Sequence, residues 1–74
     1  MEVEVRLFAT FREGREKKQK ITIIENTSIL DIINLLNIDE KEVAIMLLNG
    51  RDGASDRLLN DGDIISLFPP VGGG

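Results

Sequence analysis

"DGDIISLFPPVGGG", Asp61 to Gly74, is the stretch that decides how this chain is read. Asp-Gly-Asp is turn chemistry, because glycine supplies backbone angles that other residues resist. Ile64 to Phe68 then reads as a strand, with Ile65 and Leu67 on one face and Ile64, Ser66 and Phe68 on the other. Pro69 and Pro70 halt it, since proline brings no N–H to a ladder and fixes φ. Pro69 also holds Phe68 in extended conformations. Three glycines close the stretch. At the usual glycine content, two terminal glycines arise by chance roughly once in two hundred chains. By itself such an end reads either as a plain disordered tail or as an arm expected to project from a domain.

The rest of the chain supplies that domain. From Met1 to Phe11, Val3, Val5, Leu7, Ala9 and Phe11 alternate with Glu2, Glu4, Arg6, Phe8 and Thr10. This alternation predicts a strand with one apolar face, on which Phe8 falls on the polar side. "REGREKKQ", Arg12 to Gln19, reads as a solvated charged loop around Gly14. Lys20 to Glu25 reads as a second strand carrying Ile21 and Ile23, which completes an antiparallel hairpin.

"ENTSILDIINLLN" carries a helix. Ser28 stands at the N-cap with Asp31 three residues later. Ile29, Ile32, Ile33 and Leu36 form one apolar stripe, and Asn37 can end the helix in a left-handed conformation. Asp39 to Glu42 is a short polar connector. "VAIMLL", Val43 to Leu48, is apolar on both parities, which suits a doubly covered strand or one with an apolar patch exposed. Asn49-Gly50 is a hairpin turn, Arg51 to Ala54 a brief edge strand, and Leu58 with Leu59 a small core anchor. One helix is therefore available to cover one face of one sheet, which predicts a two-layer α+β domain with a mixed sheet.

Composition narrows the functions. Seventy-four residues make one domain, which buries only about 60% of its unfolded surface. That leaves little room for both a core and a deep substrate pocket. A net charge of −4 argues against nucleic acid as the main partner. No apolar run approaches the ~20 residues of a membrane span, and the acidic "MEVEV" start is no signal peptide. The expected location is the cytoplasm. The chain has no His, Cys, Tyr or Trp, so catalysis would fall to carboxylates or lysines. No spacing of metal ligands or phosphate-cradling glycine loop is present, and the Asp61–Asp63 turn lacks the ligand count for calcium. No independent catalysis and no bound cofactor are expected.

Four stretches carry a family resemblance: "VRLFATFRE" (Val5 to Glu13), "TSILDIINLL" (Thr27 to Leu36), "LLNG" followed by "DGDIISLFPPV" (Asp61 to Val71), and the terminal Gly-Gly. Together the chain resembles the sulfur carriers of the β-grasp, or ubiquitin-like, fold. It is most similar to the small subunit of molybdopterin synthase. The glycine at residue 72 stands where a serine or alanine is more usual. The short segment from Asn37 to Glu42 brings the chain nearer in size to thiamine-pathway carriers and small archaeal ubiquitin-like modifiers.

The resemblance implies a β-grasp domain over residues 1–68 and a flexible, projecting tail over residues 69–74. It also implies the chemistry. A ubiquitin-activating-type adenylyltransferase uses ATP to adenylate the carboxylate of Gly74, and sulfur then replaces AMP to give a thiocarboxylate. Gly73 and Gly74 are the reacting end, thin enough to thread a narrow channel. From Phe68 to Gly74 an extended chain spans up to ~20 Å. Phe8, Phe68, Pro69, Pro70, Val71 and Gly72 are the expected partner contacts, with Phe8 and Phe68 sharing an outer patch. The expected acceptor complex holds the large subunit of molybdopterin synthase, this chain being its sulfur-donating small subunit and a monomer when free. Conjugation through Gly74 to lysines of other proteins, sulfur delivery to thiamine or tRNA, or a plain β-grasp interaction domain with an inert tail are the alternatives.

Overall fold

Val3, Val5 and Leu7 are buried while Glu4 and Arg6 between them are only half-covered, so the first strand, β1 (Glu2–Leu7), lays one face on the core. The structure is a computed structural model and describes residues 1–70. After β1 come a 3-10 turn at Ala9–Arg12, strand β2 (Lys18–Thr22) and helix α1 (Ile29–Leu35). A second 3-10 turn at Glu40–Glu42, then strands β3 (Ile45–Leu48), β4 (Arg51–Asp52) and β5 (Ile64–Phe68), follow. The strands form one mixed sheet in the order β2-β1-β5-β3-β4, and this is the β-grasp arrangement.

The first and last strands are the central neighbours. They run parallel, with Val5 opposite Ile65 and Leu7 opposite Leu67. β1 pairs antiparallel with β2, and β5 antiparallel with β3. The inward faces of β1 and β5 meet Ile29, Ile32 and Ile33 of α1 in one buried cluster. The helix starts as its sequence requires. Ser28 Oγ accepts from the Asp31 N–H at 3.2 Å, and the Asp31 carboxylate accepts from the Ser28 N–H at 2.9 Å. Asn37 follows the helix with φ 58°, ending it as the sequence predicts.

Several boundaries differ from the sequence reading. β1 stops at Leu7 rather than Phe11, because its ladder partners run out: Leu7 N–H donates to Lys17 and Phe8 N–H to Leu67. Ala9 turns left-handed at φ 53°, and a 3-10 turn then carries Phe11 into the core. β2 begins two residues earlier than expected and ends before Ile23. Ile23 is still buried, its N–H bonded to the Met1 carbonyl at 2.7 Å, whereas Ile24 is exposed. Leu59 joins the core but Leu58 stands 55% exposed, so only one of that pair is an anchor.

"REGREKKQ" is not wholly a solvated loop. The Arg15 guanidinium donates to the carbonyls of Leu36, Asn37 and Phe11 at 3.1–3.3 Å. It thereby satisfies the carbonyls left open at the end of α1.

Candidate functional site

The face of the sheet turned away from α1 carries Phe8 and Phe68 side by side. Phe68 points outward because β5 sends Ile65 and Leu67 inward. Phe8 ends up beside it because β1 and β5 are parallel neighbours whose pairing continues through the Phe8 N–H to Leu67 O bond of 3.2 Å. The two rings stack with centroids 4.2 Å apart and planes 10° from parallel. Ile45 of β3 lies directly opposite Phe68 in the ladder and is 44% exposed. It extends the aromatic pair into an apolar platform.

The chain leaves the sheet at this platform. The Phe68 carbonyl accepts from the Ala44 N–H at 2.8 Å, the last ladder-like bond before Pro69 and Pro70, which have no N–H to continue it. An apolar cleft of about 660 Å³ opens there, lined by Phe11, Ile45, Phe68, Pro69 and Pro70 together with Ala9, Thr10, Lys41 and Glu42. The exit is thus anchored on a central strand and flanked by exposed apolar surface, a combination that marks partner sites.

Of the residues singled out in the sequence, the fold brings together Phe8, Phe68, Pro69 and Pro70. Val71, Gly72, Gly73 and Gly74 lie outside the described residues. Two further residues belong to the same surface. Ile45 was signalled only by the double-faced "VAIMLL" run, which left its parity open. Arg12 was hidden inside a charged run, yet its Nε donates to the Leu7 carbonyl at 2.8 Å and its guanidinium sits 5.2 Å from the centroid of the Phe8 ring.

Electrostatics sharpen one edge of this face. The Glu4 carboxylate accepts from Arg6 Nε at 2.5 Å. This hydrogen bond, reinforced by the charges of Arg6, Lys18 and Lys20, holds Glu4 below the ordinary carboxylate range. Among the described residues no group of His, Cys, Asp or Glu is placed to hold a metal ion. No helix among them is long and apolar enough to cross a membrane.

Comparison with known proteins agrees with this architecture. The profile of the ThiS family matches residues 5–74. Small archaeal modifier protein 3 of Haloferax volcanii is 36% identical over a 93-residue alignment that covers the whole of both chains. In the complex of subunits 1 and 2 of the molybdopterin-converting factor from Helicobacter pylori, one chain is 31% identical, with a TM-score of 0.67 and full coverage of both chains. SAMP1 of Haloferax volcanii shares the fold over the full length of both chains, with a TM-score of 0.80 at 23% identity.

Proposed function

This chain belongs to the ThiS family, and from that premise we propose that it carries sulfur as a thiocarboxylate on Gly74 and donates it in molybdopterin synthesis. It is a small ubiquitin-like protein of the sulfur-carrier and modifier class. The observation that carries the reading is the launch point of the tail. The central strand β5 ends at Phe68, pinned by Ala44 and stacked on Phe8, and the chain exits through two prolines. A carboxylate on such an arm reaches into another protein's active site while the domain stays docked.

The chemistry places no demand on the side chains of this domain. A partner adenylyltransferase binds ATP, and a Gly74 carboxylate oxygen attacks the α-phosphorus as pyrophosphate leaves. A sulfide-level sulfur then adds to the acyl carbon of the adenylate and AMP departs, leaving the thiocarboxylate. The absence of His and Cys is consistent with a carrier whose partners supply catalysis. Delivery to a synthase large subunit is supported by the relative from the Helicobacter pylori complex. A second reading, conjugation of Gly74 to lysines, is favoured by the full-length similarity to an archaeal modifier protein. It shares the adenylate and differs only in the attacking nucleophile.

Intact-mass measurement after incubation with ATP, sulfide and the adenylyltransferase tests the proposal. The expected product is heavier by about 16 Da, the difference between oxygen and sulfur, and removal of Gly74 abolishes it. An unchanged mass with an enzyme that is competent on its own carrier overturns sulfur carriage. Lysine conjugates without any thiocarboxylate turn the assignment to the modifier.

A further inference from the structure

We propose that the cationic rim beside Phe8, formed by Arg12 and Lys18 next to the Arg6–Glu4 pair, receives carboxylates of the protein that docks on the outer sheet face. This face then selects a partner whose apolar contact is bordered by acidic side chains. The proposal rests on the reading above that a partner protein docks there.

The charge distribution is the first support. The chain is acidic overall, yet six of its nine basic residues fall between Arg6 and Lys20, while nine of its thirteen acidic residues follow Lys20. Folding turns Arg15 to the end of α1 and leaves Arg6, Arg12, Lys17 and Lys18 beside Phe8 on the β1–β2 side of the platform. Arg6 lies opposite Lys18 in the ladder, and both alternate with the inward-facing residues of their strands. A surface hollow of about 240 Å³ is lined by Arg6, Arg12, Lys17, Lys18 and Phe8. Phe8 therefore belongs to both the apolar platform and the cationic hollow.

The second support is unused donor capacity. Arg12 spends Nε on the Leu7 carbonyl, and this bond and its place over the Phe8 ring orient the guanidinium. Among the described residues its two η nitrogens have no hydrogen-bond partner, and neither Lys17 nor Lys18 is in an ion pair. A held guanidinium with its outer nitrogens free is suited to a carboxylate, which it can meet with two parallel hydrogen bonds. A nucleic acid fits this surface less well. Glu2 and Glu4 interrupt the cations on the same face of β1, and the chain's net charge of −4 repels a long polyanion.

Charges at the rim of an apolar contact act mainly on association rate and its salt dependence. Binding to the adenylyltransferase and to the synthase large subunit of the same organism, followed by surface plasmon resonance between 50 and 500 mM salt (about 14 to 4 Å of screening length), tests this. Lys18→Glu is expected to slow association about three- to tenfold at the lowest salt and to flatten the salt dependence. Arg12→Gln is expected to weaken binding about fivefold or more. Arg51→Glu, on β4 at the far edge of the sheet, makes the same change in net charge and should leave the rate within about twofold.

Equal effects of Lys18→Glu and Arg51→Glu, or no salt dependence in the unsubstituted protein, overturn the proposal. So does a Lys18-dependent affinity for single-stranded RNA in place of both proteins. Failure of the unsubstituted protein to bind either partner overturns it as well. By contrast, a chain that docks with the expected charge dependence but never gains sulfur overturns only the proposed chemistry.

Discussion

Phe8 and Phe68 stack face to face on the outside of the sheet, 4.2 Å apart. Both rings are half-buried, and such a pair contributes only about 0.5–1.5 kcal/mol to folding beyond the area it buries. The two rings lie at the foot of the exit, next to Pro69, where the proposed docking would use them as an anchor. Phe8→Ala is expected to weaken partner binding by roughly 30-fold, the size of an interface hot spot. It should lower stability by about 1–3 kcal/mol, the pair term plus the half-buried area of the ring. Binding titration alongside a denaturant melt separates the two effects. A collapsed fold would mean that Phe8 belongs to the core instead.

Ala9 sits at φ 53°, where an L-residue is strained by about 1–2 kcal/mol. The strain is imposed by its neighbours, with Phe8 held in the ladder and Phe11 buried two residues on. Ala9→Gly relieves it, less the glycine's greater freedom when unfolded, for a net gain of about 0.5–1 kcal/mol. Ala9→Val should move the denaturation midpoint the other way. A loss of stability with glycine would show that the alanine methyl contributes contacts that outweigh the strain.

Arg15 makes two hydrogen bonds to backbone carbonyls at the end of α1, Leu36 and Asn37, and a third to Phe11 of the first 3-10 turn. Arg15→Ala is expected to cost about 1–2 kcal/mol, from lost charge-assisted bonds and lost complementarity to the helix dipole. Arg15→Lys should recover only part, since an ammonium keeps the charge without the fork. Thermal melts of the three proteins decide it, and equal stabilities would reduce Arg15 to an ordinary surface residue.

Glu4 is held below the ordinary carboxylate range first by its hydrogen bond from Arg6, then by the charges of Arg6, Lys18 and Lys20. Its contribution to stability is therefore present above its unfolded pKa and is lost as pH falls through the lower folded value. The stability difference between the native protein and Glu4→Gln should shrink on acidification across that window. Carboxyl NMR titration of Arg6→Ala should show Glu4 moving up. A Glu4 titration unmoved by loss of Arg6 would place the cause elsewhere.

Much of the fold was legible in the chain because its signals are local. The capping box at Ser28 and Asp31, the stripe of Ile29, Ile32 and Ile33, and the left-handed Asn37 each involve residues within one or two turns of one another. The Asn49-Gly50 turn is similarly self-contained, with φ 52° and 84° at its two central positions. The limits of β1 and β2 were not legible, because a strand ends where its partner's hydrogen bonds end, and those partners lie far along the chain.

The candidate site divides in the same way. Pro69 and Pro70 act through their own backbone chemistry, and Phe8 was marked by falling on the wrong parity of an alternating strand. The sequence by itself therefore determined the exit and one of its anchors. The family resemblance leads to the expectation that Phe8 and Phe68 share an outer patch, whereas their face-to-face stacking, the addition of Ile45 and the place of Arg12 over the Phe8 ring were decided only by tertiary structure. Parallel pairing of β1 with β5 brings the two ends of the chain together, and the left-handed Ala9 turns the following residues back across that pair. No local pattern encodes either contact, because each depends on which distant strand supplies the neighbouring hydrogen bonds.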